Sequence, residues 1–209
     1  MKTERLSLHT VMPRQPSVPA RAQERARSRR ARLIALAIVV CMAGAPVNGF
    51  AEQDQNVKAA FVFNFVRFTE WPTQRFAQRN TPLSLCVWTP DARLSESMRA
   101  LAGRSVDERP VRVTEVDRQD ELGQCHALFI ADTTPRASAA AWLRKAESLD
   151  VLTMGDSDNF AAAGGMIGLV ADGTRMRFDI NDKAVKRSGL KLGSQLYRLG
   201  RPVTEGLTR

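Results

Sequence analysis

Three short apolar runs, Leu83 to Trp88, Ala127 to Ala131 and Val151 to Met154, constrain the fold of this 209-residue chain more than any other feature. Each is too short for a stable helix and suits a buried strand. Ala127 to Ala131 is apolar at every position, as a strand covered on both faces requires. Between the runs lie Asp91 to Ala102, polar with helical potential, and Val111 to Val116, an imperfectly alternating strand. Ala137 to Ala146 has the residue preferences of a helix.

The last third adds a different motif. Met166 to Ala171 and Thr174 to Ile180 flank Asp172-Gly173, a pair that favours a type I′ hairpin turn. Met176, Phe178 and Ile180 alternate with Arg175, Arg177 and Asp179, which sets an apolar face against a charged one. Leu192, Leu196, Leu199 and Val203 recur at helical spacing, predicting a helix from Leu192 to Arg201 that Pro202 stops. Interleaved strands and helices followed by a hairpin predict one α/β domain. Its sheet should be mixed, with flanking helices and a C-terminal hairpin followed by a helix.

Ahead of the first strand, Asn56 to Pro72 predicts a helix. Val57, Phe61, Phe65 and Phe68 fall on one narrow face, expected to be core. Phe63 and Val66 point elsewhere, beside Arg67 and Glu70. This helix must therefore be covered twice or present a contact surface.

The net charge of +9 suggests nucleic acid until it is located. Nine basic residues (Lys2, Arg5, Arg14, Arg21, Arg25, Arg27, Arg29, Arg30, Arg32) precede residue 52, against Glu4 and Glu24, so this leader carries +7. Residues 52–209 hold 22 basic and 20 acidic side chains. That near-neutral body lacks the cation density that phosphate backbones require, and nucleic acid is not an expected partner. The basic leader runs into the apolar stretch Leu33 to Ala43, shorter than the roughly 20 residues that span a bilayer. It reads as a signal peptide, cleaved before Glu52 or after Ala43-Gly44-Ala45; an uncleaved anchor is the alternative. Cys41 lacks the small-residue setting of a lipoprotein site, and translation could start at Met12. The expected organisation is a leader over 1–51, removed on export to the periplasm, and a domain over 52–209. Export leaves Cys86 and Cys125, an even number that favours one disulfide over two buried thiols.

Signals for catalysis are sparse. His126, the one histidine beyond the leader, sits between Cys125 and a buried strand, a poor place for a general base, and reads as structural. Two cysteines and one histidine do not make a zinc set, so no metal or other cofactor is expected. Gly164-Gly165 lacks the following residues of a phosphate-binding loop and reads as a turn. Asp156, Asp158 and Asp179 could in principle form a cation site, but Asp156 to Asn159 reads more simply as a turn and N-cap before Phe160. The expectation is a protein that is not an enzyme.

Three blocks together resemble the YfiR-type periplasmic repressors. They are Asn56 to Pro72, ending Glu70-Trp71-Pro72; Cys125 to Ile130; and Val151 to Asp156 continuing through Phe160, Gly164 to Ile167, Arg177 to Asn181 and Gly189 to Leu192. The resemblance implies a regulator that holds a membrane-bound YfiN-type diguanylate cyclase inactive through its periplasmic sensor region. It also implies release when a YfiB-type outer-membrane lipoprotein sequesters the repressor. Low cyclic di-GMP and reduced biofilm are the expected outputs, and a homodimer the expected state. Cys86 and Cys125 match one disulfide position of that family; the second pair of some relatives is absent. Candidate contact residues are Phe63, Val66, Arg67 and Glu70 on the first helix, and Arg175 and Arg177 on the hairpin. The alternative function is a periplasmic sensor in which Arg67 and Arg177 clamp an anionic small molecule.

Overall fold

A computed structural model describes residues 49–78, 80–133 and 135–203. The leader expected over 1–51, with its cleavage sites, lies almost wholly outside these residues. Helix α1 (Gly49–Arg67) leads into a two-residue strand β1 (Thr69–Glu70) and a 3-10 turn, Thr73–Arg75. Then come β2 (Leu83–Trp88), α2 (Ala92–Arg99), β3 (Ser105–Val106) and β4 (Arg109–Glu115). After a 3-10 segment at Gln119–Gln124 follow β5 (Ala127–Ile130), α3 (Arg136–Glu147) and β6 (Leu152–Gly155). The chain ends in the hairpin β7 (Ile167–Asp172) and β8 (Arg175–Ile180), α4 (Asp182–Arg187), β9 (Lys191–Leu192), α5 (Ser194–Leu199) and β10 (Arg201–Pro202).

Eight of the described strands form one mixed sheet in the order β10-β8-β7-β6-β5-β2-β4-β3. Strands β4, β2, β5, β6 and β7 run parallel, while β8 returns antiparallel along β7. The apolar runs occupy the middle because both faces there are covered. One face carries Leu83, Leu85, Val87, Phe129, Met154, Leu169 and Phe178, packed with the buried residues of α1 and α2. The other carries Cys86, Leu128 and Ile130 against Leu122, Trp142, Leu143, Ala146 and Phe160. The result is a three-layer α/β/α arrangement, the mixed α/β fold expected from the interleaved pattern.

Several local expectations need correction. The buried face of α1 is Ala59, Val62, Phe63, Phe65 and Val66, whereas Val57 is 38% exposed and Phe61 and Phe68 are only partly buried. The helix is covered from two sides: Phe65 lies 4.8 Å from Phe178 in an edge contact, and the Arg104 guanidinium sits 3.8 Å over Phe63. Core position is decided by these tertiary covers, and the three-turn phenylalanine stripe straddles their margin.

The hairpin turn is one residue further on than Asp172-Gly173, because Asp172 pairs with Arg175 and leaves Gly173-Thr174 as the loop. Gly173 has φ of +62°. A left-handed glycine first and an ordinary residue second is the pattern of a type II′ turn. The last helix is also shorter than predicted. Leu192 belongs to β9, Gly200 caps the helix, and Arg201-Pro202 pairs with β8. An added Cβ at Gly200 would fall 2.6 Å from both the Ile180 and Phe178 side chains, so a residue without a side chain is needed where the chain passes this close to β8. Leu199 is left 75% exposed. Asp156 to Asn159 does form a turn, but no helix follows it. Helix α4 escaped the periodicity reading, although its N-cap Asn181, its acidic first turn and its basic last turn are ordinary helix signals.

Candidate interaction surface

The expected contact residues separate into two groups. Phe63 and Val66 turn inward, 6% and 1% exposed, because the helix is covered on that side by the chain itself. Arg67 and Glu70 are exposed. Arg67 ends an exposed stripe of α1, Val57, Ala60, Asn64 and Arg67, at the spacing of one helix face. Its guanidinium lies 5.6 Å from the Phe68 ring centre. Glu70 extends this surface on β1, directly opposite the exposed Lys191 of β9. The Gly193 N–H donates to the Phe68 carbonyl at 2.7 Å, which joins the end of α1 to the start of α5. There Tyr197 donates to Asp182 at 2.9 Å; partial burial and this bond push its phenol up to about 12.

Arg175 and Arg177 project from the sheet face opposite Phe178, since residues alternate along β8. Arg177 is held by the Asp172 carboxylate. Phe65 contacts Phe178 itself, so α1 lies on the other side of the sheet from these arginines. The structure therefore does not bring Arg67 and Arg177 together as the clamp of an anionic-ligand site.

The acidic residues are likewise apart. Asp156 binds Lys58 at 2.8 Å, Asp179 binds Arg201 at 2.8 Å, and Asp158 sits exposed in its turn. Among the described residues no three His, Cys, Asp or Glu side chains converge as a metal set. Cys86 and Cys125 form the disulfide, with Cα atoms 5.8 Å apart, inside the core layer that contains Trp142 and Phe160.

Sequence reasoning missed a second feature, the cluster around His126. The His126 carbonyl accepts the Trp71 indole N–H at 2.9 Å, and the imidazole stacks on Phe76 at 4.5 Å. Trp71 and His126 are 55 residues apart in sequence, and no local pattern links them. The neighbouring cavity, about 330 Å³, is lined by Glu70, Trp71, Phe76, Leu83, Asp107 and Arg109 among others.

The family model for YfiR/HmsC-like proteins matches residues 55–201, from α1 to β10. The chain belongs to the YfiR/HmsC-like family. That membership suggests a periplasmic regulator of cyclic di-GMP signalling, and it covers both the α1 surface and the His126 cluster. No helix among the described residues of this YfiR/HmsC-like chain is long and apolar enough to cross a membrane.

Two solved structures match part of the chain. One is an ABC domain in complex with L-Trp from Streptococcus pneumonia, at TM-score 0.42 and 12% identity, over 58% of this chain and 55% of that one. The other is a conserved domain protein from Vibrio cholerae O1 biovar El Tor, at TM-score 0.47 and 8% identity, over 71% of this chain and 59% of that one. The YfiR/HmsC-like chain thus spans little more than half the length of either.

Proposed function

We propose that this protein represses a membrane-bound diguanylate cyclase of the YfiN type by binding its periplasmic sensor region, and that it acts as a homodimer without catalysing a reaction. The observation that carries this reading is the family match over residues 55–201. Repression by binding needs one physical property, tighter binding to the inactive cyclase than to the active one. Holding a cyclase 99% inactive that would otherwise be 99% active takes a preference of about 10⁴-fold. Sequestration by a YfiB-type outer-membrane lipoprotein lowers the free repressor and returns the cyclase to its active state.

The exposed stripe of α1 with Arg67 and Glu70 is the proposed contact surface, and Arg175 and Arg177 offer a second one on the opposite side of the sheet. Mixed charge on such a surface favours selectivity and fast association over raw affinity. The test is co-purification of the exported protein with the periplasmic region of the cyclase from the same organism. A saturable complex that Arg67→Glu weakens supports the proposal; absence of a complex at micromolar concentrations contradicts it.

A further inference from the structure

The cluster around His126 has the construction of a latch. Its Nδ1 accepts the Ser84 N–H at 3.1 Å, and its Nε2 lies 3.1 Å from the Arg75 carbonyl. Both bonds form together only in the neutral ring with its proton on Nε2. Beside it the Cys125 carbonyl accepts from the Arg75 guanidinium at 2.6 Å. Arg109 lies 3.8 Å over the Phe76 ring and donates to the Gln78 and Thr81 carbonyls, at 3.0 Å each. One imidazole and two guanidinium groups thus fasten the segment 71–78 to the end of the sheet at which the central strands β2 and β5 begin.

We propose that His126 is an acid-operated latch: a second ring proton, on Nδ1, turns the acceptor of the Ser84 N–H into a donor facing it, and the ring that turns away from Ser84 gives up its bond to the Arg75 carbonyl and its stack on Phe76, freeing the segment that carries Trp71 and Phe76. The charged groups that act on the imidazole are both cations, Arg75 from the strapped segment and Arg109 from β4. Ser84 of β2, Trp71 and Phe76 bring no charge. Glu70 and Asp107 line the adjoining cavity but are not among the groups that act on the ring. Protonation therefore adds a third positive charge to the two guanidinium groups that already act on the ring.

Burial, reinforced by Arg75 and Arg109 and opposed by the bond to the Arg75 carbonyl, holds the imidazole below its ordinary value of 6.5. The released chain takes up the proton first as pH falls through 6.5. The latched state accordingly loses stability from there down to the folded value, and no further below it. The latch stands on the geometry alone; an effect of its release on cyclase binding rests in addition on the function proposed above.

The test is an NMR titration of the full chain, whose two histidines are His9 and His126. His126→Gln assigns the imidazole signal, and Trp71→Phe assigns the indole N–H. The expected result is a His126 midpoint below 6.5, with the Trp71 indole and Ser84 amide signals shifting at that same midpoint. Hydrogen exchange in residues 71–78 should rise at least about tenfold beyond its intrinsic pH dependence. A midpoint at or above 6.5, a Trp71 signal that stays flat through it, or loss of all native signals at that pH overturns the proposal. Should His126→Gln fail to fold, joint titration in the unaltered chain decides.

Discussion

Asp156 binds the Lys58 ammonium at 2.8 Å with one carboxylate oxygen and accepts the Asp132 N–H at 2.7 Å with the other. It thereby ties α1 to the loops that leave β5 and β6. Burial alone would lower the Lys58 pKa, but the hydrogen bond and charge of Asp156, helped by Asp54, hold it above 10.5. A raised lysine stabilises the fold fully below the unfolded value and loses that contribution as pH climbs through the folded one. Lys58→Met should cost about 2–3 kcal/mol in urea unfolding at neutral pH, since it leaves a nearly buried carboxylate without its cation. The difference from wild type should shrink as pH climbs through the folded value of Lys58, which lies above 10.5. A cost under about 0.5 kcal/mol at neutral pH contradicts this account of the pair.

Cys86 and Cys125 close a loop of 39 residues. On the chain-entropy model, replacing both by alanine should lower stability by about 4 kcal/mol. Matched denaturant curves with and without reductant provide the measurement. Coincident curves would show that the bridge adds nothing.

Phe160 is gripped by two glycines. A Cβ added at Gly165 or Gly155 would overlap its ring, and the ring is buried in the core layer with Trp142. Gly165→Ala should therefore cost about 1–3 kcal/mol through overpacking. The double change with Phe160→Leu should recover part of that loss, because the smaller side chain leaves room for the methyl group. Calorimetry of the two variants distinguishes this from a backbone effect, which the second change would not relieve.

Surface and core variants of α1 should behave in opposite ways. Arg67→Glu is expected to leave stability within about 0.5 kcal/mol of wild type and to weaken cyclase binding. Phe63→Ala, losing a buried ring and its Arg104 cover, should cost about 3–5 kcal/mol. Equilibrium unfolding paired with a binding titration separates them. An Arg67→Glu protein that binds as tightly as wild type removes α1 from the proposed interface.

The central strands were legible because a predominantly apolar run of four to six residues is a local signal, and Leu83 to Trp88 has the same bounds in sequence and structure. The orientation of α1 was not. Phenylalanines lie all round that helix, and the choice among them is made by Phe178 and Arg104, more than 35 residues away. Strands β1, β9 and β10 are two residues long and carry no periodicity at all. At His126 a structural role was readable from its neighbours Cys125 and Ala127. Its partners Trp71, Arg75 and Phe76 come from a segment about fifty residues earlier, which only the folded chain brings near. Burial of Phe63 and Val66 likewise follows from tertiary cover, and it narrows the contact surface on α1 to Arg67, Glu70 and the exposed stripe.

The central claim is that this protein keeps a cyclase quiet by binding it. Intracellular cyclic di-GMP, measured in a strain lacking the gene and again after complementation, addresses it most directly. The account predicts a rise on deletion and a return to the parental level with the wild-type gene. An unchanged or lower level on deletion, under conditions where the protein is produced, contradicts it.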